Sequence, residues 1–176
     1  MKKVLLTFGL FIGMMITGQA QVELKGFKLG SYYKGPQEIL TTLGGIKGLL
    51  IVYQLEDNRI YRLQFIASED TINMSKINDN DFFIIINGLQ TKYGIEFLKD
   101  TDVESSNFWW DPYAKIYFLF ADKDGVMYII EVQHWEHKYS KRKIRVWIYN
   151  INLDKIFEEE EQAKKEEEQR KIENDF

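Results

Sequence analysis

Residues 115–135 read KIYFLFADKDGVMYIIEVQHW. Two apolar runs flank Asp122-Lys123-Asp124-Gly125, and a polar stretch ending in glycine between such runs is a hairpin turn. A loop at 123–125, with Gly125 as its left-handed residue, sets Phe120 opposite Tyr128, Phe118 opposite Ile130 and Ile116 opposite Val132. That register gives one continuous apolar face, which Ile144, Val146 and Ile148 of a further strand, KIRVWIYN (143–150), extend. The opposite face carries Lys115, Tyr117 and Leu119, then Met127, Ile129, Glu131, Gln133 and Trp135, then Lys143, Arg145, Trp147 and Tyr149. Aromatic side chains alternate there with charges and amides. An antiparallel sheet with one face in the core and one in water produces this pattern.

Upstream, Asp111-Pro112 separates this hairpin from Phe108-Trp109-Trp110. Proline offers no ladder donor and restricts its predecessor, so those three aromatics belong to a loop or a strand end. A second hairpin runs through LLIVYQL (49–55), Glu56-Asp57-Asn58 and RIYRLQFIA (59–67). A three-residue loop, with Asn58 left-handed, pairs Tyr53 with Tyr61, Ile51 with Leu63 and Leu49 with Phe65. Arg62 and Gln64 then share the other face with Val52 and Leu50.

Phe82, Ile85, Ile86, Leu89 and Tyr93 recur at the spacing of a helix lying on a sheet. Asp79 or Asp81 is expected to cap it and Gly94 to end it. Pro36 followed by QEILTTL and Gly44-Gly45 predicts a short helix as well, burying Ile39, Leu40 and Leu43. Residues 21–35, with three glycines, predict a short strand and turn; Ile95 to Leu98 lead into another strand; 68–81 and 99–107 are polar connections. The fold class expected is α+β: a two-layer structure, helices packed on one face of an antiparallel sheet, with a charged C-terminal helix.

Lys2-Lys3, the uncharged run Val4 to Ile16, and Thr17-Gly18-Gln19-Ala20 have the layout of a signal peptide cleaved after Ala20. The run is 13 residues, shorter than the roughly 20 that cross a bilayer. An uncleaved anchor is the alternative. The domains expected are thus residues 1–20 as signal, 21–157 as one α+β unit and 158–176 as a tail, in a protein exported to the periplasm or beyond. Without Lys2 and Lys3 the chain holds 21 Lys and Arg against 27 Asp and Glu, a net of −6. That balance argues against nucleic acid as the main partner. The tail carries nine acids and four bases. Glu160/Lys164, Glu161/Lys165, Glu166/Arg170 and Glu167/Lys171 stand at helical ion-pair spacing. Leu153, Ile156 and Phe157 would dock its first turn, the rest projecting as a helix or fraying.

There is no cysteine, so neither a disulfide, a thiol nucleophile nor a thiolate ligand is available. His134 and His137 are three apart, which on a strand sends them to opposite faces and away from a shared metal. No Gly-x-Ser-x-Gly elbow and no Gly-rich phosphate loop is present. Lys138 to Lys143 is a basic turn, either solvated or a contact for an acidic partner or a lipid headgroup surface. No catalytic residue, metal ligand or cofactor is therefore assigned. The mixed face remains: either its large side chains merely support one another across strands, or Tyr117, Trp135, Arg145, Trp147 and Tyr149 bind a protein or peptide. A glycan or small ligand stacked on the same aromatics is the alternative.

Glu38-Ile39-x-x-x-Leu43-Gly44, Lys92-Tyr93-Gly94 and the order of elements over 27–150 carry a resemblance. The chain resembles small exported bacterial proteins of unknown function and, more remotely, the helix-on-sheet fold shared by β-lactamase inhibitory protein and the small outer-membrane-assembly lipoproteins. The turn from Gly30 to Pro36 is longer than the lipoprotein pattern, and the lipid-bearing Cys is missing. The resemblance implies action by binding proteins and assigns no functional residue.

Overall fold

The computed structural model describes residues 22–68, 76–99, 114–135 and 141–174. Residues 1–20, Phe108-Trp109-Trp110, His137 and the first half of the basic turn, 138–140, lie outside the described residues. In chain order the elements are β1 (Glu23–Leu24), β2 (Phe27–Lys28), β3 (Glu38–Leu43), β4 (Ile46–Gln54), β5 (Ile60–Ser68), α1 (Asp79–Tyr93), β6 (Leu98–Lys99), β7 (Ala114–Lys123), β8 (Val126–Trp135), β9 (Lys141–Asn150) and α2 (Ile151–Asn174). β1 and β2 form a small hairpin. The others form one antiparallel sheet in the order β3-β4-β5-β9-β8-β7-β6. β9 thus joins two hairpins, and its Ile144, Val146 and Ile148 are fully buried.

α1 covers one face. Ile85 and Leu89 are buried in a core built from Leu50, Val52, Leu63, Phe65, Ala67, Tyr128, Ile130 and the β9 aliphatics, with Phe82, Ile86 and Tyr93 packed at its margin. The helix period was therefore read correctly. Its N-cap is Asn78, whose side chain accepts from the Asp81 amide while Asp81 accepts from the Asn78 amide. Neither Asp79 nor Asp81 is the cap itself; the reciprocal pair is a capping box, in which the acid belongs three residues inside. Gly94 ends the helix in the left-handed conformation, as expected. Lys123 then donates to the carbonyls of Tyr93 (2.9 Å) and Gly94 (3.2 Å), tying β7 to the helix end.

Three expectations are corrected. First, residues 38–43 are a strand and not a helix. Gly44 (φ 59°) and Gly45 (φ 84°) are both left-handed and make a two-residue hairpin turn, with Leu43 opposite Ile46. Consecutive left-handed residues suit the twist of paired strands, so the glycines that looked like a helix stop are a strand reversal. Close packing holds this hairpin down: a Cβ on Gly48 would enter the Phe65 ring and the Ile66 carbonyl.

Second, the β4–β5 register is displaced by one. Val52 faces Leu63 and Leu50 faces Phe65, while Ile51 faces Gln64 and Tyr53 faces Arg62. The turn spans Leu55 to Arg59, with Asn58 left-handed as predicted (φ 70°), and a bulge follows at Tyr61 of β5, opposite Tyr53/Gln54. The extra residue lets Ile60 and Leu63 enter the same core although they are three apart.

Third, β7 is displaced relative to β8. Asp124 (φ 53°) joins Gly125 (φ 75°) in the left-handed region, so Lys123 pairs with Val126 across a two-residue turn. Ala121, not Phe120, then stands opposite Tyr128. Phe118 and Phe120, expected in the core, move to the face opposite α1, where both are half-buried. Tyr117, read as part of that face, pairs with Val132, a position in line with Leu119 and Ala121; its side chain lies outside the described residues.

α2 starts directly from β9. The Asn150 side chain caps it, accepting from the amides of Asn152 (3.0 Å) and Leu153 (3.1 Å). The helix is continuous through the expected domain boundary at residue 157, and docking reaches beyond its first turn. Phe157 stacks on Tyr61, Glu160 accepts from the Glu56 amide (3.2 Å), and Lys164 pairs with Glu56 (3.3 Å) and Glu161 (3.0 Å). Glu166/Arg170 and Glu167/Lys171 pair as expected. From Gln162 to Glu173 every residue is exposed.

Candidate functional site

The face opposite α1 is laid out in rows across the sheet. One row runs Phe118, Glu131, Arg145, Ile66, Leu49; the next runs Phe120, Ile129, Trp147, Gln64, Ile51; a third runs Asp122, Met127, Tyr149, Arg62, Tyr53. Neighbours in a row are close enough to touch side chain to side chain. Phe118 and Phe120, two apart on one strand, lie with rings parallel and centroids 5.9 Å apart. Together with Ile129, Trp147, Tyr149 and Arg62 they line an open cleft of about 550 Å³.

Two arginines flank this cleft, and each is held by a carboxylate. Arg145 places Nη1 3.1 Å from both oxygens of Glu131, whose side chain is buried. Gln133 donates to the same carboxylate. A buried acid with three such contacts keeps its charge matched. Arg62 reaches Asp154 of α2 at 2.6 Å and packs its guanidinium against the rings of Tyr149 (5.1 Å), Tyr61 (5.6 Å) and Tyr53 (5.9 Å). Tyr53 donates to Gln64 at 2.7 Å. Burial raises the Tyr149 hydroxyl above its ordinary pKa; Asp154 adds to this and Arg62 opposes it. Among the described residues, the buried Nε atoms of Arg62 and Arg145 have no hydrogen-bond partner.

Of the residues singled out from sequence, Arg145, Trp147 and Tyr149 are brought together here, with Arg145 6.0 Å from the Trp147 ring. Trp135 pairs through its backbone with Ala114 and Lys141 at the far end of the sheet; its side chain lies outside the described residues. Phe118 and Phe120 were missed. Nothing in β7 distinguishes its faces, because Ile116, Phe118 and Phe120 on one side are as apolar as Leu119 and Ala121 on the other. Arg62 and Ile129 were placed on the correct face without being singled out.

Among the described residues no group of three or more His, Cys, Asp or Glu side chains is arranged to hold a metal. Among them also, no helix is long and apolar enough to cross a membrane. The surface therefore offers flat apolar area, one stacked ring pair and neutralised charge. Aromatic faces of this kind are able to stack on planar groups. Comparison with protein-family models, curated proteins and solved structures gave no significant match.

Proposed function

We propose that this chain is an exported, non-enzymatic binding domain that takes a protein or peptide at the open cleft on the sheet face opposite α1. The observation that carries the reading is the cleft of Phe118, Phe120, Ile129, Trp147 and Tyr149, left open beside two arginines already paired with acids. Tyr, Trp and Arg are the residue types that dominate binding energy at interfaces, and rigid aromatics lose little entropy when covered. Export rests on the Lys2 to Ala20 pattern. A glycan or small ligand is a second reading, favoured by the cleft volume, which falls in the range of small-molecule sites.

The test places a photo-crosslinking amino acid at Phe120 of the full chain in its native cell. A single covalent adduct with one protein, lost on adding Trp147→Ala while the melting temperature holds, supports the reading. Absence of a protein adduct, with a change in tryptophan fluorescence on titrating oligosaccharides, transfers it to the second. A collapse of stability on Trp147→Ala would make the face structural and overturn both.

A further inference from the structure

β3 is an edge strand: among the described residues only β4 pairs with it. Its ladder bonds can be assigned by parity. A two-residue turn makes Leu43/Ile46 a hydrogen-bonded pair, so Thr41/Gly48 and Ile39/Leu50 are bonded as well. The Val52 amide donating to the Gln37 carbonyl at 2.8 Å continues the same series. The amides and carbonyls of Glu38, Leu40 and Thr42 therefore point away from the sheet.

Natural edges are normally blunted by proline, lysine, a bulge or an inward charge. Residues 39–43, ILTTL, contain none of these, and pairing with β4 is regular throughout. Leu40, at the centre of the strand, is 79% exposed.

We propose that β3 pairs antiparallel with β3 of a second copy of this chain, extending the two sheets into one. The occupant follows from self-complementarity. Centring the pair on Leu40 sets Leu40 opposite Leu40, covering both, and sets Glu38 opposite Thr42 and Ile39 opposite Thr41. No like charges meet. Lys47 is the β4 partner of Thr42, so it lies two strands, about 10 Å, from Glu38 of the other copy and on the same face. The symmetry makes that ion pair twice. Shifting the pairing by two residues puts Glu38 opposite Leu40 and forfeits both gains. The two-fold axis runs through the sheet, so the faces opposite α1 lie on the same side in both copies. This inference stands independently of the binding proposal above.

The chain has no cysteine, so a single introduced thiol reports this contact cleanly. Leu40→Cys in the full mature chain should oxidise to a disulfide dimer, since directly opposed strand positions lie within disulfide reach. Thr42→Cys alone should form no disulfide, and Glu38→Cys combined with Thr42→Cys should crosslink again. In sedimentation the unmodified chain should run as a dimer. Leu40→Pro, which removes an amide β4 does not use, and Leu40→Lys should each run as monomers with unchanged circular dichroism. A monomeric wild type at high micromolar concentration, equal crosslinking by Thr42→Cys and Leu40→Cys, or a dimer surviving both Leu40 variants would overturn the proposal. The first of these would leave the edge to a foreign strand.

Discussion

The rings of Tyr61 and Phe157 stack with centroids 4.6 Å apart and planes 15° from parallel. Tyr61 is the residue released by the β-bulge, and Phe157 lies on the second turn of the C-terminal helix. An irregularity in a strand thus supplies the platform on which a highly charged helix docks.

Shortening the chain after Lys164 should therefore leave the melting temperature nearly unchanged, because residues 165–173 are all exposed. Phe157→Ala should cost about 2 kcal/mol, the range for losing a half-buried aromatic. Thermal denaturation of the two variants side by side checks both statements. A truncated chain that melted much earlier would mean the projecting turns hold structure.

The β3–β4 hairpin can be tested at its glycines. Gly45 has a left-handed backbone and open space around it, so Gly45→Ala should cost about 1 kcal/mol from backbone strain alone. Gly48→Ala drives a methyl group into Phe65 and Ile66 and should cost more, about 2–3 kcal/mol. Urea titration of the two variants gives the order, and the reverse order would contradict the strand assignment.

Glu131 and Arg145 should behave as a coupled unit. Glu131→Leu leaves a guanidinium facing buried surroundings and should cost about 3 kcal/mol. Glu131→Leu with Arg145→Leu should recover most of that loss, because a pair of apolar side chains leaves no charge unmatched. A double-mutant cycle in urea measures the coupling, and simple additivity would show that the pair is not a unit.

Alkaline pH should weaken the fold. Burial pushes the hydroxyls of Tyr61 and Tyr128 up to about 12 from an unfolded value of 10.0. The neutral form is favoured in the folded state, so this stability is complete below pH 10 and is lost as pH rises toward 12. Tyr128→Phe should flatten the pH dependence of unfolding over that window, with phenolate absorbance at 295 nm reporting ionisation.

The resemblance-bearing stretch Glu38 to Gly44 lies on β3 and its turn, while Lys92-Tyr93-Gly94 ends α1 as expected. This contrast shows what a sequence records. An apolar stripe with a period near 3.6, closed by glycine, has one reading over fifteen residues. A six-residue run with two glycines behind it has two, and the choice depends on what the strand beside it offers.

The faces of β5, β8 and β9 were determined by sequence alone, because Arg62 and Gln64, Glu131 and Gln133, and Arg145 interrupt each strand with a polar residue at alternate positions. The faces of β4 and β7 were not, since both strands are apolar on each side and a turn one residue longer or shorter serves equally well locally. Tertiary packing decided them: Ala121 beneath Tyr128, the Phe65 ring over Gly48, and Ile60 with Leu63 in one core. It also decided that Phe118 and Phe120 lie opposite α1 beside Trp147. Periodicity tells inside from outside only where one face is polar; where both are apolar, register belongs to contacts between residues far apart in the chain.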